Sequence, residues 1–267
     1  MAARAAGARR ILNVEPSPER ERDWDARRDG RLADEEPPSA LDLRADRRWY
    51  GIGDQGETGS CVGWALADSV MRWQLVEQER LDPAQRLSPR FIWMASKELR
   101  AHRQELDDWH PSTFLEEAAT TVKDGLEVAR RFGAVPEPVL RWRGPLNRGA
   151  PERFYERAAE FKISAYHSLD RQEAERTFRR WRQWLHQYGP VLLVVEIDRA
   201  FARGEAELRR FRSRRRREGH ACALVGYDPG GFIVRNSWGR GWGRSGYARA
   251  SHAWLRRGWS ESYGVVC

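Results

Sequence analysis

Three short segments, far apart in a chain of 267 residues, constrain its fold more than any other feature. The first is Gln55-Gly56-Glu57-Thr58-Gly59-Ser60-Cys61, and the second is Gly219-His220-Ala221-Cys222-Ala223-Leu224-Val225-Gly226-Tyr227. The third, Asn236-Ser237-Trp238-Gly239, continues to Gly246-Tyr247. A thiol, an imidazole and a carboxamide in that chain order can act as a nucleophile, its base and the group that orients the base. For that chemistry to operate, the fold must return residue 220 to residue 61 across 159 positions.

Local signals suit each part to its role. Cys61 stands where a Gly-rich turn gives way to a run with apolar positions 62, 65, 66, 69–70 and 73, close to a period of 3.6. A thiolate there faces unpaired N–H groups and the positive end of the helix dipole. Gln55 can aim its side-chain amide at the same point as the Cys61 N–H, and the pair would form an oxyanion hole. Ala221–Tyr227 reads as a strand, Asp228-Pro229-Gly230-Gly231 as a turn and Phe232–Arg235 as the returning strand. That hairpin brings Asn236 back to His220, leaving the other ring nitrogen for Cys61.

These motifs resemble the papain family of cysteine peptidases, whose local cysteine signature is followed far downstream by His and Asn. The resemblance covers about residues 41–60 into the cysteine helix and 219–247. It implies an α+β fold of two lobes, a helical lobe over about 55–160 and a β-rich, barrel-like lobe over about 161–267, with the active-site cleft between them. It implies that Trp238 shields the Asn236–His220 hydrogen bond, and that a neighbouring imidazolium lowers the cysteine pKa to roughly 3–4, the figure for papain itself. The implied activity is peptide-bond hydrolysis through a thioester, with no metal or organic cofactor. Acyl transfer to an amine would use the same residues, and a catalytically silent binding module is the alternative from another class. Thr58 stands where secreted relatives carry a disulfide cysteine, and Val62 where they carry Trp. Ser60-Cys61-Val62-Gly63 with Leu41-Asp42-Leu43-Arg44 is similar to bacterial members. No specificity-pocket residues are assigned.

Composition fits an intracellular setting. Three cysteines give no disulfide framework, and Cys222, between alanines on a strand, is expected to be a small buried hydrophobe. No signal-peptide core or membrane-length apolar run is present, so the cytoplasm is the expected location. Residues 1–40 are charged and contain Pro16, Pro18, Pro37 and Pro38. They are expected to be an extended or partly disordered tail, with a regulatory role as one reading, whose Ile11–Val14 patch could dock near the cleft. Helices are expected from Leu87-Ser88-Pro89, from Ser112 to about Arg131 and over Glu173–Tyr188. Strands are expected at Phe161–His167 and Val191–Ile197.

The net charge of +8 is concentrated in Arg209-Arg210-Phe211-Arg212-Ser213-Arg214-Arg215-Arg216-Arg217. No nucleic-acid motif accompanies the run, which disfavours that partner. A solvated loop is one reading. A patch in which Arg214, Arg215, Arg216 and Arg217 attract acidic peptide or protein substrates is the other. Oligomeric state is not legible.

Overall fold

The computed structural model describes residues 11–12, 14–46, 48–103, 120–143, 151–170, 173–212 and 219–267. Its ten strands are β1 (Val14–Glu15), β2 (Leu41–Asp42), β3 (Thr120–Thr121), β4 (Ala165–Ser168), β5 (Val191–Glu196), β6 (Glu207–Leu208), β7 (Gly219–Asp228), β8 (Gly231–Arg235), β9 (Tyr247–Ser251) and β10 (Trp259–Val266). Eight form one sheet in the order β4-β10-β5-β7-β8-β9-β6, with β2 added against β7. The remaining two, β1 and β3, pair in parallel.

Alternation along β7 divides the core. Ala221, Ala223 and Val225 face an apolar cluster that also holds Cys61, Val62, Leu66, Val70 and Met71. Cys222 and Leu224 face a second cluster rich in indoles, including Trp181, Trp184, Trp242 and Trp254. Alanine on the first face lets the cysteine helix lie close to the sheet. The indoles fill the other face, beneath the helices Ala174–Gln187 and His252–Gly258.

The cysteine helix, residues 61–77, is α-helical at Cys61–Gly63, widens to a π-helix over Trp64–Met71 and returns to α over Arg72–Glu77. Every residue from 61 to 76 is buried, as expected of a helix enclosed on all sides. Gly63 is required by packing, because a Cβ there would collide with the Pro89 carbonyl at the start of the helix Pro89–Arg103. That helix begins as the sequence predicts, with Ser88 Oγ accepting from Phe91 N–H at 3.2 Å.

Two element boundaries differ from expectation. The helix expected from Ser112 begins at Val122 and is capped by Thr121, whose Oγ1 accepts from Asp124 N–H at 3.0 Å. Thr120 and Thr121 are extended because they pair with β1; residues 104–119 lie outside the described residues. The strand expected from Phe161 begins at Ala165, where pairing with β10 begins.

The tail also departs from the extended or partly disordered segment its composition suggests. Ser17 N–H donates to Glu261 at 2.8 Å, and Lys123 pairs with Asp23 at 2.5 Å. The Tyr263 hydroxyl donates to Asp23 at 2.9 Å, and Arg180 pairs with Asp25 at 2.8 Å. Ala26 and Leu32 enter the indole-rich core. Several of the tail's charges are thus matched to body residues, while Arg22–Glu19 and Arg27–Asp34 pair within the tail, which composition alone does not reveal.

Candidate active site

An antiparallel crossing joins the Gln55 turn to the segment after β8. Gln55 N–H donates to Ser237 carbonyl at 2.9 Å, and Gly239 N–H to Gly53 carbonyl at 2.9 Å. The Ser237 hydroxyl donates to Gln55 Oε1 at 2.8 Å, while Gln55 Nε2 donates to the Thr58 carbonyl at 2.8 Å. The carboxamide expected in the oxyanion hole is therefore fixed at both ends and fully buried.

Cys61 opens its helix, and its thiol lies near enough to the backbone amides of Ala221, Val62 and its own residue for them to favour the thiolate. Ala221 follows His220, so the thiol sits against the start of β7. His220 Nε2 and Asn236 Oδ1 are 2.7 Å apart. The register Ala223↔Arg235 carries Asn236 just past the ladder, diagonally across from His220. The Asn236 side chain is held by Ser237 N–H at 2.8 Å and its backbone N–H donates to Gly246 carbonyl at 3.0 Å. With the carboxamide oxygen taken up by two donors, the imidazole keeps one orientation.

Aromatic rings enclose this hydrogen bond. The Trp238 ring lies 4.9 Å from that of His220, and Phe201 lies 5.6 Å from His220 and 5.3 Å from Trp238. Sequence reasoning assigned no role to Phe201 or Ser237. Phe201 sits on a single helical turn capped by Asp198, which accepts its N–H at 2.9 Å. The Asp198-Arg199-Ala200-Phe201 cap was the available signal. Ser237 lies inside the Asn-Ser-Trp-Gly run, where its hydroxyl was the clue.

Cys61, His220 and Gln55 have no exposed surface, and Asn236 has almost none. Val14 belongs to the same apolar cluster as Cys61, and its carbonyl occupies the place a side chain at Gly219 would take. The chain at residues 14–15 thus runs between β3 and the start of β7. Burial pushes the Cys61 thiol up to about 11, opposed by the three backbone N–H groups. This corrects the expected acidic thiol for the closed arrangement: desolvation outweighs the helix terminus when water cannot reach the sulfur. Burial also pushes the Cys222 thiol up.

Among the described residues no cluster of three metal-binding side chains occurs, and no helix is long and apolar enough to cross a membrane. Arg214–Arg217 fall outside the described residues.

The sequence profile of papain family cysteine proteases matches residues 150–261. Papain from Carica papaya is 50% identical over 46 residues, which is 17% of this chain and 12% of papain's own length. The chain therefore spans a small part of that relative. Among solved structures, xylellain, a cysteine protease from Xylella fastidiosa, superposes with a TM-score of 0.73 at 20% identity, covering 96% of both chains. The Carica candamarcensis cysteine protease CMS1MS2, solved in complex with E-64, gives a TM-score of 0.59 at 19% identity, covering 86% of this chain and 98% of that one. The fold is the α+β papain-like fold, and the profile match shows that residues 150–261 are similar to papain family cysteine proteases.

Proposed function

We propose that the chain is a cysteine peptidase held closed by its own N-terminal segment. The observation that carries the catalytic reading is the 2.7 Å His220–Asn236 contact, enclosed by Trp238 and Phe201, on the strand whose next residue, Ala221, shares a buried cluster with Cys61. Once the cleft opens, the Cys61 thiolate adds to the scissile carbonyl carbon. Its N–H and the Gln55 amide stabilise the oxyanion. The C–N bond breaks as His220 protonates the leaving amine. Water then gives a proton to His220 and attacks the thioester, and the C–S bond breaks with release of the acid. Asn236 holds the imidazole for both transfers.

The regulatory reading of residues 1–40 is supported by Val14 between β3 and Gly219 and by the complete burial of Cys61. Substrate would have to displace that strand. A preference for acidic peptides rests on charge alone, because Arg217 precedes His220 by only three positions.

A peptidyl fluoromethyl ketone tests both parts, followed by mass spectrometry on the full chain and on Val14→Asp. A buried charge at residue 14 disfavours the docked strand. Stoichiometric labelling of Cys61, faster in Val14→Asp and absent in Cys61→Ala, supports the proposal. Labelling spread equally over Cys61, Cys222 and Cys267 rejects the nucleophile. Equal rates in the two proteins reject the closure.

A further inference from the structure

Arg235 immediately precedes Asn236, and its buried guanidinium reaches the cysteine helix, the stretch leading to Gln55 and the start of β9. Nη2 pairs with Asp68 Oδ2 at 3.2 Å, and Nε donates to Ser69 Oγ at 3.3 Å, both on the cysteine helix. Nη2 also donates to the Tyr50 carbonyl at 3.3 Å, on the stretch leading to Gln55. Nη1 donates to the Tyr247 hydroxyl at 3.3 Å, beside the Gly246 carbonyl that accepts from Asn236 N–H. The Trp49 ring lies 4.7 Å from the guanidinium carbon.

The charge balance indicates that this arrangement serves more than stability. Asp68 also accepts from Arg86 Nε at 2.6 Å. Asp68 therefore keeps a cationic partner if Arg235 is removed, so its loss does not orphan a buried carboxylate. The contribution specific to Arg235 is geometric: a planar fork spanning four segments, which a lysine ammonium cannot reproduce. The widened turn at Trp64–Met71 is where the cysteine helix presents Asp68 and Ser69.

We propose that Arg235 is a positioning residue that, by clamping Asp68 and Ser69 of the cysteine helix to the end of β8, sets Asn236 and through it the His220 imidazole relative to Cys61. The inference rests on the peptidase reading for its kinetic consequence but not for its structural one. Removing the clamp lets the end of β8 shift against the cysteine helix. The His220–Asn236 hydrogen bond then opens more often, and the imidazole is misaligned for proton transfer while peptide binding is little changed.

The test compares wild type, Arg235→Lys and Arg235→Met as full-length chains. One readout is the solvent-exchange rate of the His220 Nε2 proton by NMR, assigned by its loss in Asn236→Ala. The other is kcat and KM for a fluorogenic peptide in the Val14→Asp background. Exchange is expected to rise about tenfold or more in Arg235→Met and by less in Arg235→Lys. In the same order kcat should fall, with KM within about twofold of wild type. If Arg235→Met does not fold, Arg235→Lys alone carries the comparison and should still show both changes. Folded variants whose exchange rate and kcat equal wild type overturn the proposal. A fall in kcat that only tracks the folded fraction, with exchange unchanged, also overturns it. If no peptide is cut yet exchange follows the expected order, the peptidase reading fails and the positioning role stands. If peptides are cut and the order is absent, the reverse holds.

Discussion

The Val14 carbonyl lies where a side chain on residue 219 would have to stand, so the covering strand can sit there only because that residue is glycine. A methyl group at this point would push the strand off the start of β7. Overpacking of this kind costs roughly 1–3 kcal/mol, which corresponds to about a tenfold or larger shift toward the open arrangement. Gly219→Ala is therefore expected to raise the rate of Cys61 alkylation by that factor. Residue-resolved mass spectrometry after timed iodoacetamide exposure checks it; an unchanged rate means the strand does not limit access.

The same burial sets the pH response of the thiol. With Cys61 pushed up to about 11 in the closed arrangement, little thiolate exists at neutral pH. Alkylation of the full chain should climb steadily across the alkaline range. In Val14→Asp, water and the helix terminus reach the sulfur, so the rise should begin at lower pH and level off earlier. Superimposable profiles for the two proteins would contradict this.

Ser237 offers a narrower probe of the carboxamide. Its hydroxyl donates to Gln55 Oε1 at 2.8 Å, and the rest of the Gln55 side chain is tethered only to the Thr58 carbonyl. Ser237→Ala should cost about 1 kcal/mol, the usual value of such a bond. Since the amide acts on the oxyanion, the loss should appear as a several-fold lower kcat with little change in KM. Steady-state kinetics in the Val14→Asp background decides; a pure KM effect would assign Ser237 to substrate binding instead.

The tail's anchors predict acid sensitivity. Burial lowers the His167 pKa from 6.5, although Asp29, 3.1 Å from Nδ1, opposes the shift. A base whose pKa is lowered on folding binds fewer protons folded than unfolded, so stability falls as pH drops below the ordinary histidine value. Burial raises Asp25, but Arg180 and the backbone amides of Arg28 and Arg27 outweigh it and hold the carboxyl below 3.8. That contribution is present above 3.8 and fades as pH falls further. Glu261, raised by burial, works in the opposite direction over the carboxylate range. Thermal unfolding should show a first loss beginning near pH 6.5 that His167→Gln reduces, with the remainder from His252, whose pKa burial also lowers. A second, at lower pH, should persist in that variant.

Much of this site was legible because its chemistry is written in short, contiguous motifs. His220 and Asn236 meet as the hairpin Asp228–Gly231 requires, and the crossing at Ser237 sets Gln55 beside the segment that follows Asn236. What escaped the sequence depends on partners distant along the chain. Asp23 and Asp25 read as ordinary tail charges until Lys123, Tyr263 and Arg180 are brought beside them. Thr120 and Thr121 read as helix until β1 pairs with them. The thiol's surroundings escaped for the same reason: helix position is local, whereas the burial of Cys61 comes from residues distant along the chain, such as Ala221 and Ala223.

In the proposed closed form the strand at residues 14–15 belongs to the same polypeptide as the site, so closing is a first-order event. Its local concentration at the cleft is set by the intervening chain, on the order of millimolar for a short tether. Dilution would not switch such a protein on, and a free peptide copied from residues 11–40 would have to compete with that tethered supply. Only an agent that weakens the charged anchors, or a cut between the strand and the body, would change the balance; after a cut, reclosing would become dependent on concentration.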